Sequence, residues 1–230
     1  MKTSDPTGLA DRLKFRTREL HLTAERSGVT AQILRGSATL TSYALLLASL
    51  APVYLEMERL LAARVDDPSL RRLVDPAVLR HDALTGDLGA LLGANWRDQL
   101  APPDESARYV DHVKAAAEGD GARLIAHAYV RYLGDLNGGQ ALARLLARSL
   151  GLPKSALSFY EFPLIEDLPS FREQYRAAID QAGREIQDPD AVVEEAAIAF
   201  QLNIDLSEAV LRAQPIPAER TAADSSEALA

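Results

Sequence analysis

The sequence contains no cysteine. That absence excludes a disulfide framework, thiolate-bound zinc or iron–sulfur centres, and a cysteine nucleophile. Long apolar runs are missing too: the longest stretch, Tyr43 to Leu55, is interrupted by Ser49 and Pro52 and falls short of the ~18–20 residues that span a bilayer. The N-terminal MKTSDPTG has no apolar core of a signal peptide. These features predict a soluble cytoplasmic protein without a membrane anchor. Positive charge is in short supply, with 25 Lys and Arg against 33 Asp and Glu for a net charge of −8, which argues against a nucleic-acid partner held by phosphate neutralisation. Runs of β-branched residues are few and no strand is evident. Also absent are G-x-S-x-G, Walker A and G-x-G-x-x-G sequences and the Glu-x-x-His pairs of di-iron bundles.

What the chain has in abundance is Leu, Ala and Arg at three- and four-residue spacing, the pattern of amphipathic helices. Its 230 residues, 47% hydrophobic and 25% charged, suit one large globular domain. Asp5-Pro6 and Gly28 bracket a first helix from Thr7 to Ser27, with Leu9, Leu13, Leu20 and Ala24 as its buried stripe. A short helix through Ile33 to Arg35 ends at Gly36, and a long one from Leu40 to Ala63 follows with Thr39 as its cap. Pro52 lies inside the long helix, where an interior proline costs about 3 kcal/mol, so a kink or break is expected at residues 48–52. Further helices are expected over Pro76 to Leu92, Asp104 to Ala117, Ala122 to Leu150, Leu168 to Ala182 and Asp190 to Arg212. The fold class is all-α, with one domain over residues 1–213 and a disordered tail over 214–230.

Two segments stand out. In Arg131-Tyr-Leu-Gly-Asp-Leu-Asn-Gly-Gly-Gln140, glycines interrupt a helical pattern at about 1 kcal/mol each. Gly134 and Gly138 share a helix face and leave it bare, so backbone can approach something flat. On spacing alone, a close helix–helix contact or an interhelical loop is the commoner cause. In the first helix Lys14, Arg18, His21 and Glu25 follow at steps of four, three and four. A histidine there with a carboxylate one turn on has the pattern of an oriented imidazole ligand, though a solvated charged face has the same spacing. Arg172 and Arg176 repeat a one-turn basic pair that suits carboxylates or serves as ordinary surface charge. His81, His112 and His127 have no partner spacing that makes a site.

Glu19-Leu-His-Leu-Thr-Ala-Glu25, Tyr129 to Gln140, Phe159-Tyr-Glu-Phe-Pro163, Phe171 to Arg176 and Ala199 to Leu206 together resemble the heme oxygenases of the biliverdin-producing, soluble bacterial type, over roughly Leu13 to Leu206. The resemblance implies a heme, held non-covalently, between a proximal helix and a kinked distal helix, with heme as substrate and cofactor and dioxygen as co-substrate. It implies oxidative cleavage to biliverdin, as the alpha isomer, with carbon monoxide and ferrous iron. Electrons would come from an external donor, a ferredoxin or an NADPH-dependent reductase.

Carried over residue by residue, His21 becomes the iron ligand with Glu25 hydrogen-bonded to its other ring nitrogen, and Gly134, Gly138 and Gly139 become the distal face. Asp135 would act through ordered water to deliver a proton, supported by Arg131, Tyr54 and Asn203. Lys14, Arg18, Tyr129, Arg172 and Arg176 would surround the heme propionates, and Phe200 would be an apolar wall. The chain departs from the family pattern at Ala51-Pro52, at Asn137 and near Ser207. A protein that stores, senses or carries heme without cleaving it is the alternative, and a heme-free helical scaffold is a third reading.

Overall fold

A computed structural model describes residues 8–213; the expectations for Asp5-Pro6 and for the tail lie outside those residues. Among the described residues there is no strand. The α-helices run in chain order as α1 (Leu9–Arg26), α2 (Gly28–Arg35), α3 (Leu40–Ala62), α4 (His81–Leu92), α5 (Trp96–Gln99), α6 (Asp104–Ala116), α7 (Leu124–Ala128), α8 (Gly134–Leu150), α9 (Leu168–Glu185) and α10 (Pro189–Arg212). Local chemistry sets several boundaries. Thr39 and Ser42 form a reciprocal capping box at the start of α3, satisfying donors that the first turn leaves orphaned. Asp167 and Asp188 cap α9 and α10, each with proline in the first turn.

Several expected elements differ. α3 runs unbroken through Pro52. Carbonyls beside the proline find partners on neighbouring helices: the Ser106 hydroxyl donates to the Ser49 carbonyl at 2.6 Å, and His81 Nδ1 lies 3.1 Å from the Ala51 carbonyl oxygen. These tertiary bonds tie the helix to its neighbours beside the ring, whose missing N–H would have donated to the Ala48 carbonyl. The Pro76 to Leu92 stretch is split into a 3₁₀ turn at Pro76–Val78 and α4. The cap of α4 comes from another helix, since the Glu58 carboxylate accepts from the backbone N–H of Arg80 at 2.6 Å and of His81 at 3.2 Å. The stretch from Ala122 is helical from Leu124, but Tyr129–Leu133 forms a π-helical turn. The irregularity therefore precedes the glycines, where the kink was expected, and α8 itself is regular from Gly134 onward.

α10 is the hub, packing against α1, α2, α3, α6, α7 and the π-turn. It runs in the same direction as α1, as the pairs Arg12–Asp190 and Arg16–Glu194 show. Gly28 does not end α1; it opens α2 with a left-handed φ of 58°. A Cβ there would lie 2.4 Å from Ser207 Oγ, so α2 sits flush on α10 only because position 28 is glycine and 207 is small. Ser207 Oγ accepts from the Thr30 backbone N–H at 3.2 Å.

One contiguous core fills the bundle, with Tyr43, Tyr54, Tyr109 and Tyr132 among its largest fully buried side chains. In α1, Leu9 and Leu13 are buried while Leu20 and Ala24 are only half-buried, so the stripe opens toward His21. Leu40–Ala62 is long and apolar enough to cross a membrane, but 72% of its apolar window is buried in the fold, as for a core helix.

Candidate functional site

The imidazole of His21 stands at the open end of the α1 stripe with its side chain 59% exposed. No hydrogen bond occupies its Nε2 among the described residues, and the Phe200 ring lies 6.0 Å from it, centroid to centroid. Glu25 Oε1 is 3.6 Å from His21 Nδ1. That is an ion-pair distance and lies outside hydrogen-bonding range, so the expected bond between them is not formed.

α8 presents the complementary feature. A Cβ added at Gly134 or Gly138 would meet nothing within 4 Å, so no helix packs on that face. Gly139 differs: its Cβ would come within 3.1 Å of the Tyr160 ring. Its bareness serves close packing on the 3₁₀ turn Ser158–Tyr160, which corrects its expected place on the open face. α1 and α8 both lean on α2 and α9, which fix their relative position.

Behind the open glycines lies a connected polar cluster. Tyr54, Arg131 and Asp135 are all buried. Arg131 donates from Nε and Nη2 to Tyr54 Oη at 2.9 and 2.8 Å, and from Nη1 to Asn203 Oδ1 at 2.5 Å. With two N–H groups aimed at its oxygen, Tyr54 must direct its own O–H elsewhere, and it donates to Asp135 Oδ2. The other carboxylate oxygen is 3.6 Å from Arg131 Nη2. Burial raises the Asp135 pKa above the ordinary value, opposed by the Arg131 charge and the Tyr54 hydrogen bond. Burial also pushes Tyr54 well up, so it remains a neutral phenol. For Arg131 burial works against the charge, but Tyr54 and Asp135 outweigh it and the guanidinium stays protonated. Such a cluster holds a carboxyl in one orientation with one direction of proton donation, as positioned proton transfer requires.

The basic side chains are dispersed around this arrangement. Lys14 and Arg18 are exposed and carry no acidic partner among the described residues. Arg172 is half-buried, with a buried Nε that has no protein partner. Arg176 was expected beside a ligand carboxylate, but it donates to Asp11 of α1 at 2.7 Å. Tyr129 packs beside Thr17 and near Arg176, at the junction of α1 and α9. No cluster of three or more His, Asp or Glu suited to a metal ion occurs among the described residues.

Sequence reasoning missed three contributors. Arg80 is buried and donates to the Glu161 carbonyl, tying the Phe159–Phe162 segment beneath α8. Tyr109 and Tyr132 place buried hydroxyls without protein partners around the polar cluster. Arg131 and Asp135 entered through the family resemblance, whereas no spacing or motif pointed to Arg80, Tyr109 or Tyr132.

The chain matches the heme oxygenase family over residues 7–209. A heme oxygenase from Takifugu rubripes is 34% identical over 209 residues, 90% of this chain and 76% of that relative. The crystal structure of heme oxygenase-1 from the cyanobacterium Synechocystis sp. in complex with heme superposes with a TM-score of 0.80 at 34% identity, covering 87% of this chain and 91% of that one. The structure of heme oxygenase from Leptospira interrogans gives a TM-score of 0.82 at 33% identity, covering 88% of this chain and 99% of that one.

Proposed function

The chain belongs to the heme oxygenase family, and from that premise we propose that it opens heme to biliverdin, carbon monoxide and ferrous iron. It is an oxygen-dependent heme-degrading oxidoreductase, with heme as substrate and cofactor and dioxygen as co-substrate. The observation that carries the reading is the pairing of an open, side-chain-free face at Gly134 and Gly138 with the closed Tyr54–Asp135–Arg131–Asn203 cluster behind it. A carrier has no need of the second element.

The residues present suit a planar iron macrocycle. His21 would hold the iron through its free Nε2, with Glu25 one short side-chain adjustment from Nδ1. Gly134 and Gly138 would let backbone lie close over the ring, and Phe200 would flank it. Lys14, Arg18 and Arg172 would neutralise the propionates; Tyr129 and Arg176 would join them if Asp11 shares its guanidinium. When bound, heme supplies the iron that activates dioxygen, and electrons come from an external ferredoxin or NADPH-dependent reductase. The work left to the protein is orientation and proton positioning. Arg131 fixes Tyr54, Tyr54 fixes Asp135, and Asp135 positions water for proton transfer. Seating the propionates sets which edge of the ring is oxidised, so the alpha isomer is expected.

Mixing the purified chain with hemin, a ferredoxin, its reductase, NADPH and oxygen is expected to bleach the Soret band and yield biliverdin, mainly alpha by chromatography. A Soret band that persists with no biliverdin would identify a heme carrier instead. The open glycine face gives a second expectation. Gly138→Ala adds a methyl group that meets nothing in the heme-free chain and removes about 1 kcal/mol of helix penalty, raising Tm by about 2–4 °C for a chain of this size. The same methyl group would stand in the space the macrocycle needs. Heme titrations should therefore show weaker binding in the variant that melts higher, and equal or tighter binding would place the ring elsewhere.

A further inference from the structure

The helix that carries the open glycines rests on a short segment that α4 holds in place. Gly139 of α8 abuts Tyr160, whose Cδ1 lies 3.1 Å from where a Cβ at position 139 would stand. At 100° per residue, Gly139 is turned about 100–140° away from Gly138 and Gly134, so this contact supports the open face from behind. Phe159, one residue earlier, sets its ring edge-on to Tyr54 at 5.5 Å between centroids and against Tyr160 at 4.9 Å. Both aromatic side chains are buried. The Ser158–Tyr160 turn therefore bears on both halves of the site: the backbone of the bare face and the phenol that orients Asp135.

Nothing within that turn makes it rigid. It is one turn of 3₁₀-helix, and Leu157 at its cap position supplies no side-chain acceptor, so its first N–H groups are orphaned. The acceptor comes from α4. Asp87 is 0% exposed, and its two oxygens divide the donors: Oδ1 accepts from the Ser158 backbone N–H at 2.9 Å and from the Ser158 hydroxyl, and Oδ2 accepts from the Phe159 N–H at 2.9 Å. At the N-terminal end of α4, Arg80 takes the carbonyl side of the same segment. It donates to Phe159 at 3.4 Å and to Glu161, with its guanidinium 4.2 Å over the Phe162 ring. No cation pairs with Asp87 among the described residues. Burial raises its pKa against the bonds from Ser158 and Phe159, so the fold keeps a carboxylate at a desolvation cost, and all its bonds go to this one turn.

We propose that Asp87 is a positioning residue for heme cleavage. By capping the Ser158–Tyr160 turn from α4, it fixes where Gly139 can rest, and with it the depth of the slot over Gly134 and Gly138 and the seat of Tyr54. Arg80 is the second arm of the same clamp. The catalytic role rests on the heme-cleaving reading, whereas the mechanical link from Asp87 to α8 is independent of it.

Asp87→Asn tests the link, because the amide keeps the shape of the carboxyl but turns its own N–H toward one of the two backbone donors, which is left unpaired. In the heme-free chain, hydrogen exchange read by mass spectrometry is expected to quicken about tenfold in peptides spanning residues 157–162 and 134–146, with those of α6 at the parent rate. An increase spread evenly over all helices, or none in 134–146, would overturn the proposal. With heme and an electron source, the variant should degrade heme about tenfold more slowly in a single turnover and give a different ratio of biliverdin isomers. A ratio equal to the parent's would also overturn it. Gly139→Ala presses a methyl group on the Tyr160 ring from the other side. In the double variant the uncapped turn yields to that methyl group, so the combined rate loss should be smaller than the product of the two single losses; a full product would mean that the sites are independent and the link absent. Ser158→Ala removes only the hydroxyl bond and should move exchange and isomer ratio in the same directions by less, which keeps the proposal decidable if Asp87→Asn folds poorly. A parent chain that forms no biliverdin would sink the functional reading, and the exchange comparison would then judge the link alone.

Discussion

Asp135→Asn retains heme binding and the His21-ligated spectrum but lowers biliverdin formation about a hundredfold or more, the range removed with a positioned proton-transfer group. Asparagine preserves the shape of the side chain and offers Tyr54 an oxygen to donate to, so the cluster stays assembled. What disappears is the carboxylate that can exchange a proton with water. Asp135→Ala is the harsher variant: it strands the Tyr54 hydroxyl and weakens the charge balance of buried Arg131, which costs about 1–3 kcal/mol for the unpaired group alone. The two therefore separate chemistry from folding, because Asn should melt near the parent and Ala below it. Heme loss is followed as the decay of the Soret band after reduction. Parent-like turnover in Asp135→Asn would remove the aspartate from the mechanism.

His21→Ala is expected to abolish the parent heme spectrum and turnover together, with little change in the stability of the heme-free chain. The imidazole is largely exposed, and surface substitutions of this kind stay within about 0.5 kcal/mol. Its free Nε2 is the only thing of consequence removed. Added imidazole should restore part of the activity, because the space vacated beside Phe200 opens to solvent. Glu25→Ala should be milder, at most about tenfold, the lower end for a group that orients a ligand, since Glu25 stands 3.6 Å from Nδ1 and is half exposed. An unaltered spectrum in His21→Ala would mean that another group binds the iron.

Much of the helical framework is legible in the chain itself. The Thr39 cap, the Gly36 stop and the proline-led starts of α9 and α10 all depend on residues within one turn of each boundary. The continuity of α3 through Pro52 is not legible, because the bonds beside the proline come from Ser106 and His81 on other helices. Nor is the π-turn at Tyr129–Leu133, which lacks a glycine or proline to announce it. The glycines divided in the same way. Spacing placed Gly134 and Gly138 on one face, but only the Tyr160 ring showed that Gly139 belongs to a packing contact.

By itself the sequence determined an all-α chain, the order of its helices and, through motif resemblance, its family. Periodicity, caps and turn residues act over a few positions, so their energetics are written locally. The tertiary structure alone decided which polar groups meet. Tyr54 reaches Asp135 across 81 positions and His127 finds Glu195 across 68, distances at which spacing carries no information. Whether a buried charge is tolerated depends on the partners that surround it in space, because the loss of hydration is offset only by groups the whole fold brings into contact.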